Sequence, residues 1–189
     1  NVSAEKTAHP CQMPLKVMEN IIAQIIELQE AGHQVILVSS GAVALGRGVA
    51  RRVNGREYGV SVADKQLLAS LGQPQLMALY SKICEARGYL VAQLLLTKYD
   101  FQTKRSYTNI LRLLQKTLSQ SHVLTIINEN DSVAVDELMF TDNDELAGLI
   151  AAMMNADKLI ILSNVEGVYT KHPQEEGSEL IPVIDPQNE

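Results

Sequence analysis

The sequence predicts an α/β fold: a three-layer α/β/α sandwich around a central, mostly parallel sheet. Three observations predict it. Short, mainly apolar runs at residues 34–39, 90–96, 123–127 and 158–162 alternate with longer segments of helical periodicity. Runs without polar alternation suit strands buried on both faces, the condition of parallel sheets covered by helices. Polar corners follow Val38, Ile127 and Leu162, and ligands of such sheets bind at the carboxyl ends of the strands.

A chain of 189 residues is long enough for one sizeable core. Aromatic residues make up only 4%, so the core must be aliphatic. The net charge of −6 leaves no basic excess to neutralise phosphates and argues against a nucleic-acid partner. Cys11 and Cys84 make neither a metal pattern nor a disulfide framework; free thiols and a cytoplasmic location are expected. No apolar run approaches the roughly 20 residues that span a membrane, and no signal peptide is visible, though the abrupt opening N-V-S-A-E leaves upstream residues open.

The elements follow in order. Residues 1–13 read as irregular. Residues 15–31 read as a helix, with Val17, Ile21, Ile25 and Leu28 at helical spacing and Gly32 as its stop. Residues 34–39 are the first strand. The segment S-S-G-A-V-A-L-G then reads as a tight turn into a helix start, which presents backbone N–H groups and the positive end of a helix dipole. Residues 47–60 read as a loop in which glycines and four arginines replace apolar periodicity; a solvated excursion and a lid or oligomer contact both fit. Residues 63–71 and 75–87 read as two helices around Gly72, and Gly88 ends the second. Residues 90–96 form a strand, and 103–119 a helix with Tyr107, Ile110, Leu111 and Leu114 inward. Residues 123–127 are the next strand. Residues 142–155 are a helix capped by Thr141 or Asp142, with residues 151–154 in its buried half. Residues 158–162 are a further strand, and S-N-V-E-G-V-Y-T reads as turn and loop.

The corners carry the chemistry. Ser40 and Gly41 could hold an anion at the helix start, though S-S-G is also an ordinary turn. Asn128 and Asp131 could read the polar ends of an amino acid, with Asp131 against an ammonium, or could simply cap a loop. Asp142, Asn143 and Asp144 sit where acids are stabilised anyway; capping explains one or two, and three in succession invite a metal, ammonium or lysine partner. No G-x-x-x-x-G-K-[ST] loop, no G-x-G-x-x-G after a strand and no serine nucleophile elbow occurs. His33 and His122, each just before a strand, read as structural. The residues alone therefore describe an α/β protein with a polar small-ligand crevice.

The segments V-I-L-V-S-S-G-A-V-A-L-G, A-D-K-Q-L-L-A-S-L-G-Q, Q-L-L-L-T, I-I-N-E-N-D-S-V-A, T-D-N-D-E-L-A and L-S-N-V-E-G-V-Y-T go further. By them the chain resembles the glutamate 5-kinase (gamma-glutamyl kinase) family of the amino acid kinase superfamily, over about residues 15–175. The pair N-E-N-D-x-V-A and D-N-D is the specific part. The resemblance implies one amino acid kinase domain over residues 1–189 and transfer of the γ-phosphoryl of ATP, with Mg2+, to the side-chain carboxylate of L-glutamate, the first step towards proline. By it, Ser40, Asn128, Asp131 and Asn143 bind glutamate, Asp144 organises catalytic lysines, and Ser163 and Asn164 contact the nucleotide; no residue is assigned to a metal. It also implies a homo-oligomer (dimer or tetramer) and proline as feedback inhibitor. The family's first strand with its K-x-G-S turn, and its later glycine-rich G-T-G-G-M-x-T-K segment, do not appear; Lys65, Lys98 and Lys158 stand in other contexts. A piece of a longer enzyme is therefore expected, with a non-catalytic proline-sensing module and a kinase of another acid as alternatives.

Overall fold

The computed structural model describes residues 15–133, 142–163, 165–175 and 177–184. They fall into two compact units, Asn1–Ala156 and Asp157–Glu189. In the first unit three strands, β1 (Ile36–Val38), β2 (Leu90–Leu96) and β3 (Val123–Glu129), form a wholly parallel sheet in the order β1-β3-β2. Val38 lies opposite Ile127 and Leu96 opposite Glu129, so β1 and β2 both end beside the end of β3.

The central strand shows why both faces are covered. Side chains alternate with period two along a strand. Leu124 and Ile126 enter one core with Met18, Ile22 and Ile26 of α1 (Leu15–Glu30) and Leu76, Tyr80 and Ile83 of α3 (Val62–Glu85). Ile127 enters the other with Leu94 and Leu96, Ile110 and Leu114 of α5 (Lys104–Leu118) and Leu146, Ile150 and Met153 of α6 (Asn143–Met154). Each such aliphatic side chain contributes roughly 1.5–3 kcal/mol on burial. Thr125, fully buried on this second face, is satisfied by a 2.9 Å hydrogen bond to Thr117 of α5. The α/β/α order expected from apolar runs is what the strands require.

Several expectations are corrected. The buried stripe of α1 is Met18, Ile22, Ile25 and Ile26, whereas Val17 and Leu28 are exposed. The 47–60 segment is not a loop throughout: α2 (Ala42–Asn54) continues to Asn54, and only the residues after it are irregular. Its small residues Ala42, Gly46 and Ala50 recur every fourth position and face α3, so the glycine marks a contact rather than a break. The two helices expected around Gly72 are one, α3, with Gly72 and Pro74 inside it. A Cβ on Gly72 would lie 1.8 Å from the Ala42 carbonyl oxygen, and one on Gly46 1.8 Å from that of Leu68. The two helices cross backbone to backbone there.

The short α4 (Lys98–Gln102) was not anticipated; Asp100 accepts from the Thr97 N–H at 2.7 Å and its hydroxyl at 2.8 Å, which fixes the turn. Tyr107 of α5 and Ala152 of α6 are exposed rather than inward. Residues 158–162 are not a strand. They belong to the second unit, where Ile160 is 71% and Leu162 69% exposed. A strand exists only through a ladder partner, and among the described residues none pairs with them. The second unit's regular structure is an antiparallel pair, β4 (Val168–Tyr169) with β5 (Leu180–Ile181). No helix among the described residues is long and apolar enough to cross a membrane.

Candidate active site

The parallel register puts the corners after β1 and β3 side by side. Ser39 is buried; its N–H donates to the Ile127 carbonyl at 2.8 Å, and its hydroxyl is 2.8 Å from the Tyr80 hydroxyl. That anchors the chain just before Ser40, which is exposed. Gly41 follows with φ 109°, a left-handed conformation that glycine adopts without strain, and caps α2 without a side chain. The first turn of α2 holds no acid. Its N–H groups and the dipole therefore point a net positive end at the crevice. The Gly46–Gly72 crossing holds this helix start against α3.

At the end of β3 Asn128 is only 2% exposed. Its Nδ2 donates to Gln73 Oε1 of α3 at 3.0 Å, and its Oδ1 accepts from the Glu129 N–H at 2.8 Å. Gln73 Nε2 is buried and has no partner among the described residues. The Asn130 N–H donates to the Leu96 carbonyl at 2.8 Å, and the chain then turns, with the Val133 N–H on the Asn130 carbonyl. Asp131 lies on that turn, half-buried. Burial pushes its carboxyl above the ordinary carboxylate range, and the Lys65 ammonium opposes the shift. Its charge is thus incompletely compensated, which favours a cationic group. Asp131 and Asn130 border a pocket of about 30 Å3 with Ala42, Ala69 and Gln73. That is room for one or two waters, or an ammonium group.

The third corner is the start of α6. Asp142 is its cap: Oδ1 accepts from the N–H groups of Asp144 at 3.1 Å and Glu145 at 3.0 Å. Thr141 lies outside the described residues. Asn143 is half-buried, with its Oδ1 lacking a partner among the described residues, and Asp144 is exposed. Glu145 pairs with Lys98 at 3.0 Å, which ties the start of α6 to the segment after β2. Ser40, Asn128, Asp131, Asn143 and Asp144 thus all belong to carboxyl-end corners of the one sheet or to the helix tied to it. Ser163 lies in the second unit, exposed, its Oγ accepting from the Val165 N–H at 3.3 Å; Asn164 lies outside the described residues. Sequence reasoning missed Gln73 and treated Lys65 only as a misplaced lysine, because both sit on α3, far along the chain from β3.

A larger hollow, about 350 Å3, lies at the opposite, amino ends of the strands among Gln29, His33, Tyr89 and His122. It collects no constellation like that of the carboxyl-end corners. Cys84 is buried in the α1–α3 core, its thiol pushed up to about 11 by desolvation, and takes no part.

A parallel α/β/α domain with polar corners converging at its strand ends defines a ligand-binding α/β protein. The sequence model of the amino acid kinase family matches residues 3–188, and the chain belongs to that family. It is 43% identical over 168 residues to a glutamate 5-kinase of Bacteroides thetaiotaomicron, covering 89% of this chain and 46% of that protein. A glutamate 5-kinase of Chlorobaculum tepidum is 44% identical over 170 residues (90% and 45%), and glutamate 5-kinase 2 of Bacillus subtilis 39% over 172 (91% and 45%). The chain spans less than half the length of these curated relatives.

Proposed function

We propose that this chain forms the amino-acid-reading part of an ATP-dependent glutamate 5-kinase. The observation that carries the reading is geometric: the half-buried carboxylate of Asp131 and Ala42, the first residue of a helix whose N-terminus has no side-chain cap, line one small pocket behind Ser40. Such a pair offers one end for an ammonium and one for an anion. The names and identities of the relatives favour glutamate over other acids.

In this reading Asp131 takes the substrate ammonium. Asn128, Asn143 and Ser40 orient the rest of glutamate. An oxygen of its γ-carboxylate attacks the γ-phosphorus of ATP. The bond from that phosphorus to the bridging oxygen breaks, and L-glutamyl 5-phosphate and ADP result. The protein contributes positioning and charge neutralisation, without a covalent intermediate. Asp144, exposed at the start of α6, orders the cationic groups that meet the phosphates, and Ser163 and Asn164 contact the nucleotide. Among the described residues no three His, Cys, Asp or Glu side chains group to hold a metal. In the kinase reading Mg2+ would arrive on the nucleotide phosphates and water, with the exposed Asp144 as a carboxylate that would face it; when bound, the ion would neutralise phosphate charge. Residues 1–189 would be part of a single kinase domain, cytoplasmic and assembled as a homo-oligomer, with proline competing for the amino-acid head site.

The test is to incubate the full-length protein with MgATP, glutamate and hydroxylamine. The expected result is hydroxamate whose formation depends on glutamate. No glutamate-dependent product at saturating ATP sinks the proposal, and glutamate binding without product would mark an amino-acid-sensing module instead.

A further inference from the structure

Helix α3 carries a row that runs alongside the β3 corner. Lys65, Ala69 and Gln73 are four residues apart, so they lie along one line of the helix surface. One end of the line is fixed by Gln73, which holds Asn128 at 3.0 Å. Its middle is fixed by Ala69, which borders the same small pocket as Asp131. Lys65 is one turn further on, exposed, and its charge reaches the Asp131 carboxylate. The ion pairs among the described residues, Arg51–Glu57 and Lys98–Glu145, include neither Lys65 nor Asp131. Lys65 thus acts on the Asp131 carboxylate from beyond the 4.0 Å of a closed ion pair.

We propose that Lys65 is a specificity-determining residue that takes the α-carboxylate of the amino-acid substrate whose ammonium Asp131 takes. The proposal rests on the glutamate-kinase reading above. An amino-acid head brings a carboxylate wherever it brings an ammonium. Beside Asp131 alone that carboxylate would meet a like charge. A cation one helical turn from the pocket converts the repulsion into attraction. The open Lys65–Asp131 gap lets a zwitterion complete an alternating ring of four charges: lysine, carboxylate, ammonium, aspartate. A ligand with only one of the two head charges leaves one protein charge unanswered, so the pair selects α-amino acids over simple acids and simple amines. This role concerns the head of the substrate, not the phosphoryl group, and belongs in KM rather than kcat.

The experiment uses the full-length protein and the glutamate-dependent hydroxamate assay, with Lys65→Met and Lys65→Arg beside wild type. 4-Aminobutanoate, which keeps the ammonium and the reacting carboxylate but lacks the α-carboxylate, serves as competitive inhibitor. Lys65→Met is expected to raise the glutamate KM about ten- to hundredfold, with the loss in KM exceeding that in kcat, and to leave the 4-aminobutanoate inhibition constant within about twofold of wild type. Lys65→Arg is expected to recover most of the glutamate KM. An unchanged glutamate KM in Lys65→Met, or equal weakening of glutamate and 4-aminobutanoate, overturns the Lys65 assignment while leaving the kinase reading intact. A wild-type protein that makes no glutamate-dependent product overturns both.

Discussion

Of the three polar corners of the first unit, those at β3 and α6 are built by opposite means. The β3 corner is embedded. Asn128 is buried, bonded across to Gln73 of α3, and seated on a strand whose side chains fill both cores. The α6 corner stands on its own cap. Asp142 satisfies two N–H groups of the first turn, Asp144 is exposed beside it, and the Glu145–Lys98 pair links the turn to the end of β2. An embedded corner is pre-organised by packing and suits recognition of a small head group. An exposed acidic corner suits charged partners, such as lysines or a metal on phosphate, that arrive with the reacting groups. Damage to the first should therefore appear in stability and KM, and damage to the second in turnover.

The largest expected effect sharpens the second half of that contrast. Asp144→Ala should lower kcat of the full-length enzyme by about 10²–10³, as when one transition-state electrostatic partner is lost, with a far smaller change in unfolding midpoint. Steady-state kinetics beside urea unfolding checks it; a KM effect without a kcat effect would place Asp144 in recognition instead. Next comes Gly72→Ala. Its methyl would meet the Ala42 carbonyl at 1.8 Å and the Gly46 nitrogen at 2.5 Å. Neither is a flexible side-chain tip, so α2 must shift, at a cost of about 3 kcal/mol. Urea unfolding measures this, and a loss below about 0.5 kcal/mol would mean that the crossing is not as tight as described. Asn128→Ala is expected to cost about 2 kcal/mol, because it strands Gln73 with both amide groups unpaired. It should also raise the glutamate KM, since the β3 corner loses its tie to α3. Equal stability in Asn128→Ala and wild type would break the claim that this corner is embedded.

Much of this was legible along the chain. The run at 90–96 is β2 to the residue, and 123–127 is most of β3, whose near-complete burial leaves no polar alternation to confuse the reading. Asp142, the N-cap, was one of the two cap candidates, with Thr141, that stand before the helical pattern. The failures share a cause. Gly46 and Gly72 look like breaks in a linear reading but are a backbone contact between two helices, visible only once α2 and α3 are in place. The apolar run at 158–162 has a strand's composition, yet among the described residues nothing pairs with it. At the site, Asp131 stood out as an acid directly after a strand. Its neighbours Gln73 and Lys65 did not, because the Asn128–Gln73 bond joins residues 55 positions apart. Pattern reading finds what a local period encodes and misses what folding brings together.

The proposed role of Asp131 is to read the ammonium of an amino acid. The direct measurement is glutamate saturation of the full-length Asp131→Asn variant in the hydroxamate assay at saturating MgATP. The expected result is a glutamate KM raised about hundredfold, with most of the turnover number retained. A glutamate saturation curve that matches wild type would contradict it.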